Sequence, residues 1–364
     1  MTQGPPAEAD AVDAAVDVVC LGESMVTFLP LRPGRLADVP AFERTIGGAE
    51  SNVACALAAA GHSTRWVSRV GADGFGDHLV ETIGGYGVDV RAVRRDPHRP
   101  TGIYFRTADD RTADGHEVLY YRAGSAASAM SPATVPHRDL WAGRVLHLSG
   151  ITAALSDDCL ALMRDLLARR PGRPSVSFDI NYRPGLWRDA AGPRVLLDLA
   201  RGADIVFVGA DEAEAAWGMR GPAALREALP EPDVLVVKQG AAGATVFARG
   251  SGRVAERAPR VEVVAPAGAG DAFAAGFLGA TLRGLPVRDR IRHGHLMAAA
   301  VLTVPGDLTR PPAPSPAAAP PGAGPRHTSW TAHADRLVAL DDTAWGRLRL
   351  GPGWTGDDQE VRTS

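Results

Sequence analysis

The densest chemistry in the chain lies in Arg260–Gly284, RVEVVAPAGAGDAFAAGFLGATLRG. Val261, Val263 and Val264 predict a strand, Gly268, Ala269 and Gly270 a tight turn, and Asp271 the opening of a helix. Such a turn aims backbone N–H groups and the positive end of a helix at one point, which suits a phosphate oxygen. No Gly-Lys-Ser/Thr follows, so a Walker A lysine is excluded, and Phe273 stands where a dinucleotide fingerprint needs its third glycine. The remaining Gly-Ala-Gly-Asp reads as an anion hole beside a carboxylate, or as a helix with an aspartate N-cap. A carboxylate at a helix N-terminus is expected to have a lowered pKa, and so to orient a hydroxyl more than to pull its proton strongly.

Further polar residues sit at the ends of predicted elements. Gly47-Gly48 precedes Ala49, Glu50, Ser51 and Asn52, and the missing side chains serve either a tight turn or close approach of a ligand. Thr101–Arg106 and Glu117–Arg122 flank a polar turn and predict a hairpin. Strand alternation puts Tyr120 and Arg122 on one face, and pairs Tyr104 with Arg106 in the same way. Such pairs suit a cation–π contact on a solvated surface, or a lid that grips a carboxylate. Ser149, Asp179, Asn181, Arg183, Asp211, Glu212 and Lys238 end or follow predicted strands. Singly they read as caps; together they mark one sheet edge, where open α/β sheets bind ligands.

These residues require a scaffold that gathers distant segments. DVVCLG, RVLHLSG, SVSFDINYR, DIVFVGA and DVLVVKQG are near-continuous apolar runs, and from Arg144 onward they alternate with helices. That pattern predicts an α/β fold: a doubly wound, mostly parallel sheet with helices on both faces. Segments from about 26–46 and 101–123 read as strands and turns outside that alternation and are expected to form a small β-sheet lid. A further helix is expected over Asp289–Thr303. Residues 1–16 read as a disordered leader, 17–310 as the folded domain, 311–331 as a disordered Pro/Ala-rich insert, and 332–364 as a tail with one short helix over His333–Leu348.

With 364 residues, 45% hydrophobic and 22% charged, the chain can bury a large core. A net charge of −3 with scattered Lys and Arg argues against a nucleic-acid partner. There is no apolar run long enough for a membrane span and no signal-peptide pattern, so a cytoplasmic location is expected. Cys20, Cys55 and Cys159 stand far apart in apolar segments and read as buried thiols.

In the order GGAESN, YYR, NYR, KQGAAG and GAGD, the chain resembles the ribokinase, or phosphofructokinase-B type, family of carbohydrate kinases from about Asp17 to about Leu308. Within that family it is most similar to kinases of 2-keto-3-deoxygluconate, on LYYRAGSAAS (Leu119–Ser128), HLSGITAALS (His147–Ser156) and DINYRPGLW (Asp179–Trp187). The resemblance implies a ribokinase-like fold over 17–310 and ATP- and Mg2+-dependent phosphorylation of a sugar acid at its 6-hydroxyl. It implies that Gly48, Ala49, Glu50, Ser51 and Asn52 line the sugar site, that Tyr104, Tyr120 and Arg122 reach it from the lid, and that Asp307 adds a substrate contact. Arg183 is implied between sugar and phosphate. Lys238, Gly240 and Gly243 follow the nucleotide, Gly268, Ala269 and Gly270 form the anion hole, and Asp271 is the base. Lids of this kind can pair across a two-fold axis, so a homo-oligomer through the lid is a further expectation.

Two departures from the family pattern concern magnesium. Ala265-Pro266-Ala267 replaces an acidic opening of the loop, and Gly209-Ala210-Asp211-Glu212 lacks the asparagine of an Asn-x-x-Glu motif. No metal ligand is assigned. A kinase of another sugar, such as fructose or ribose, and a non-catalytic sugar-binding relative are the alternatives.

Overall fold

The computed structural model describes residues 15–32, 34–107, 118–187, 191–309 and 329–355. The leader, the tip of the lid hairpin and most of the Pro/Ala-rich insert lie outside them.

Alternation of apolar side chains on both strand faces decides the architecture. In β1 (Val16–Leu21), Val18 and Cys20 point into one core, whereas Val19 and Leu21 point into another. A strand with two dry faces belongs inside a sheet covered on both sides. The chain leaves for the lid with β2 (Met25–Pro30) and β3 (Phe42–Gly47), and returns as β4 (Thr64–Gly71) and β5 (Val93–Asp96). Lid strands β6 (Ile103–Arg106) and β7 (Val118–Tyr121) follow. The main sheet is completed by β8 (Gly143–Ser149), β9 (Ser175–Asp179), β10 (Ile205–Gly209), β11 (Val234–Lys238), β12 (Ala244–Ala248) and β13 (Gly252–Glu256).

The main sheet has the order β13-β12-β11-β10-β9-β8-β1-β4-β5. It is parallel from β5 to β11, with β12 and β13 antiparallel at one edge. Successive strands run outward in one direction from β1 and in the other from β8. Their shared border is therefore the switch point where a crevice opens.

The lid is a second sheet, β3-β2-β6-β7. The expected hairpin is β6–β7, with Tyr104 opposite Tyr120 and Phe105 opposite Leu119. One lid face is apolar, with Phe28 stacked on Phe105 at 4.8 Å; the other carries Tyr104 and Tyr120. The three cysteines are buried and free.

Two expectations change. The strand before the Gly-rich turn shrinks to β14 (Arg260–Val261), leaving Val263 and Val264 exposed, because its partner is only the two-residue β15 (Arg349–Leu350). The single tail helix is two, Ser329–Val338 and Asp342–Arg347, since Asp341 caps the second by accepting from Ala344 N at 2.8 Å.

These elements bury Leu337, Trp345, Leu348 and Trp354 against Leu296, Ala299 and Ala300 of the helix Val287–Leu302. Arg292, fully enclosed, donates to Val338 O at 2.9 Å and lies 4.6 Å from the Trp345 ring. The tail segment is thus part of a packed core. Leu348→Ala should cost about 2–5 kcal/mol in a urea titration; a loss below about 1 kcal/mol would show that the segment does not unfold with the domain.

Candidate functional site

The site is assembled at the carboxyl ends of the central strands, and it includes a long-range contact between Asn52 and Asp271. Asn52 lies in the first turn of the helix Ala49–Ala59, and Asp271 in the first turn of Ala269–Leu282. Asn52 Nδ2 donates to Asp271 Oδ2 at 2.8 Å across 219 residues of sequence.

The helix cap itself is Gly268, at φ 75°, a left-handed conformation that a side chain would strain. A Cβ there would also lie 2.3 Å from the Asp307 carbonyl oxygen. Asp271 is therefore not the N-cap. The helix opens at Ala269, two residues earlier than expected, and this frees the carboxylate to face Asn52.

Asp271 also departs from the expected lowered pKa. Desolvation pushes it up to about 7; the Asn52 hydrogen bond and Lys238 oppose the shift, and the nearby Asp179 and Asp307 add to it. Burial outweighs the helix dipole.

Lys238, at the end of β11, donates from Nζ to Asp179 Oδ2 at 2.7 Å, and a Cβ on Gly270 would lie 3.3 Å from that Nζ. The ammonium therefore sits at the mouth of the anion-hole turn. Its pKa is raised: Asp179, Glu212 and Asp271 outweigh its burial. Gly240 and Gly243 follow in a turn at φ 56° and φ 120°. Asn181 has φ 43° as a non-glycine, and its buried Oδ1 has no partner; nor does Asp179 Oδ1.

On the lid side, Arg122 forms an ion pair with Glu23, which also accepts from Ser125 Oγ at 2.5 Å. Arg122 lies 5.7 Å from the Tyr120 ring centroid, so the anticipated cation–π contact and an inward-facing guanidinium coexist. Tyr104 donates from its hydroxyl to Asp307 Oδ2 at 3.2 Å, and Arg106 from Nη2 to Asp307 Oδ1 at 2.7 Å.

The structure brings Gly48, Asn52, Tyr104, Asp307, Gly268 and Asp271 together around this junction. Ala49, Glu50, Ser51 and Asn52 are all buried; Asn52 turns its amide to Asp271, whereas Ser51 Oγ meets Ser24 Oγ and the Gly48 carbonyl oxygen, each at 3.0 Å. Glu50 accepts from Ser149 Oγ and Thr152 Oγ1, each at 2.8 Å, and burial pushes its pKa up to about 7. Arg183 is half exposed and pairs with Glu212 at 3.3 Å; Glu212 in turn accepts from Gly209 N. Among the described residues no three His, Cys, Asp or Glu side chains cluster to hold a metal ion.

Sequence reasoning passed over Glu23 and did not carry Arg106 into the site. Glu23 carried a signal, since it follows the carboxyl end of β1 as Asp179 ends β9. Arg106 shared a predicted face with Tyr104, but no sequence pattern pointed to Asp307 as its partner.

The model of the pfkB family carbohydrate kinases matches residues 15–314. The 2-dehydro-3-deoxygluconokinase of Thermoproteus tenax is 36% identical over 309 residues, which is 84% of this chain and 94% of that protein. That of Bacillus subtilis (strain 168) is 35% identical over 303 residues, 80% and 91% of the two chains. The crystal structure of a PfkB protein from Polaromonas sp. JS666 superposes with a TM-score of 0.71 at 34% identity, covering 78% of this chain and 95% of that one. The chain belongs to the pfkB family of carbohydrate kinases, and its fold is the ribokinase fold.

Proposed function

We propose that this kinase transfers the γ-phosphoryl group of ATP to the 6-hydroxyl of 2-keto-3-deoxygluconate, the 2-dehydro-3-deoxygluconate of the relatives' names, or of its galacto epimer. The observation that carries the reading is the Asn52–Asp271 hydrogen bond, which joins the sugar-side helix to the anion-hole turn.

The sugar lies between Gly48–Asn52 and the lid, with Arg122, Tyr104 and Tyr120 toward its carboxylate and Asp307 toward a hydroxyl. A planar guanidinium suits a carboxylate. The nucleotide follows Lys238, Gly240 and Gly243, with Arg183 between the two substrates. The 6-hydroxyl oxygen forms a bond to the γ-phosphorus, the bond from that phosphorus to the bridging oxygen breaks, Asp271 takes the hydroxyl proton, and ADP leaves. Backbone amides of Gly268, Ala269 and Gly270 meet the developing charge on the phosphoryl oxygens.

Magnesium would be held largely through ATP phosphates and water. The unpartnered oxygens of Asp179 and Asn181 beside Lys238 fit a hydrated hard cation. Bound there with ATP, the ion supplies charge neutralisation.

The Glu23–Arg122 pair also supports a second reading. Glu23 already compensates the lid arginine, a balance that suits a neutral sugar such as fructose. ADP release with a panel of sugars decides: turnover of the keto-deoxy acid supports the first, turnover of fructose alone the second, and none with any sugar a non-catalytic protein. Among the described residues no helix is long and apolar enough to cross a membrane; we place the enzyme in the cytoplasm, beside its ATP. Exposed Leu119 and Tyr121 on β7 support pairing of two lids, and light scattering that reports only monomer at working concentration would exclude it.

Arg122→Lys keeps the charge but loses the fork. It should raise KM for the acidic sugar by about ten- to a hundredfold, the scale of a 1.5–3 kcal/mol charged hydrogen bond, with KM for ATP unchanged; an unchanged sugar KM would remove the carboxylate role. Turnover should climb as pH rises through about 7 while Asp271 ionises, and Asp271→Asn should lower kcat by about 10² to 10⁴. Stability moves the other way. The folded pKa lies above the unfolded value, so the native state holds the extra proton and stability falls as pH rises from about 4 to 7. Asp271→Asn should flatten that fall in pH-dependent melting; a slope matching the parent's would refute the raised pKa.

A further inference from the structure

The geometry points to Arg106 as a positioning residue that fastens lid strand β6 to the anion-hole turn through Asp307, so that enclosing the sugar and assembling the phosphate site become one event. This rests on the kinase reading above and adds a residue that substrate contacts alone do not require.

Three observations converge on the junction. Arg106 and Asp307 are each only 11% exposed and meet at 2.7 Å. Asp307 follows Gly306, whose φ of 93° turns the chain inward after the helix Val287–Leu302, and the neighbouring Thr309 carbonyl accepts from the Tyr86 hydroxyl at 2.8 Å. The Asp307 backbone then closes on Gly268, where a Cβ would stand 2.3 Å from its carbonyl oxygen. A side chain in the lid and the backbone of the phosphate turn thus touch the same residue from opposite sides.

Gly47 on β3 leaves room for this junction: a Cβ there would meet Tyr104 Oη at 2.3 Å and Asp307 Oδ2 at 2.8 Å. Arg106 engages Asp307 through Nη2, whereas its buried Nε–H has no partner. Arg106 thus supplies the charged contact of β6 to Asp307, beside the Tyr104 hydroxyl at 3.2 Å, and sugar binding can tighten or release it.

There is an electrostatic consequence as well. Asp271 faces Asn52, Asp179, Lys238 and Asp307, and the two carboxylates disfavour its ionised form. Arg106 offsets the charge of Asp307, so its removal leaves Asp271 harder to ionise.

The test compares the parent with Arg106→Met and, in case that variant folds poorly, with Gly47→Ala, which disturbs the junction without removing the arginine. Binding of a non-hydrolysable ATP analogue is measured with and without a saturating sugar that the parent turns over, and kcat is followed against pH. In the parent, sugar should tighten analogue binding about fivefold or more. In both variants that factor should fall to about one, and in Arg106→Met the rise of kcat should also move to higher pH. A merely structural role would lower the folded fraction but leave the coupling factor and the pH profile of the folded enzyme unmoved. Parental coupling in both variants, or an unmoved profile in Arg106→Met, overturns the assignment. Failure of the kinase reading appears separately, as absence of ADP release from the parent itself.

Discussion

A part-buried and desolvated carboxylate, Asp271, is the constraint around which the site is built. It stands in the first turn of one helix and is held by Asn52 in the first turn of another. Bringing two helix N-termini that close needs small residues between the helices. Accordingly, the helix Ala49–Ala59 is rich in Ala and the helix Ala269–Leu282 in Ala and Gly. Gly276 in turn lets the following helix approach, with the His293 carbonyl oxygen 2.4 Å from where a Cβ would be. Packing that resembles ordinary core economy is what brings Asp271 to Asn52.

The surrounding charges form a graded set. Lys238–Asp179, Arg122–Glu23 and Arg106–Asp307 are largely enclosed ion pairs, each with one member in or beside the crevice. Burial makes such pairs weak sources of stability, so their value lies in holding donors at fixed places. Asp271 and Glu50 are different: desolvation outweighs their partners, and both are pushed up to about 7. For Glu50, beneath the site, that has a structural cost; for Asp271 it is the condition that makes a carboxylate a useful proton acceptor near neutral pH.

The main sheet was legible because its strands are apolar on both faces and alternate with helices. The lid was legible from period-two alternation in TGIYFR and EVLYYR. Contacts between remote residues were not legible. Nothing local distinguishes Glu50, which is held by Ser149 and Thr152 about a hundred residues later, from Asn52, which meets Asp271. The tail was misread as a single helix because the Asp341 cap is hidden inside a continuous amphipathic pattern. Its docking depends on an apolar stripe of the helix Val287–Leu302 that sequence periodicity assigns only to some core, not to a particular one.

By itself, the sequence determined the alternation of strands and helices, the glycines that keep side chains out of the crevice, and the residue types able to hold a sugar acid and a phosphate. These follow from period, chain conformation and functional-group chemistry, all of which are local. Tertiary structure decided which helix end meets which, that Arg122 is already shared with Glu23, that Arg106 reaches Asp307, and that Asp271 titrates near 7 instead of below the ordinary carboxylate range. Each of those depends on burial and distance between segments far apart in the chain, and neither quantity exists until the sheet has brought them together.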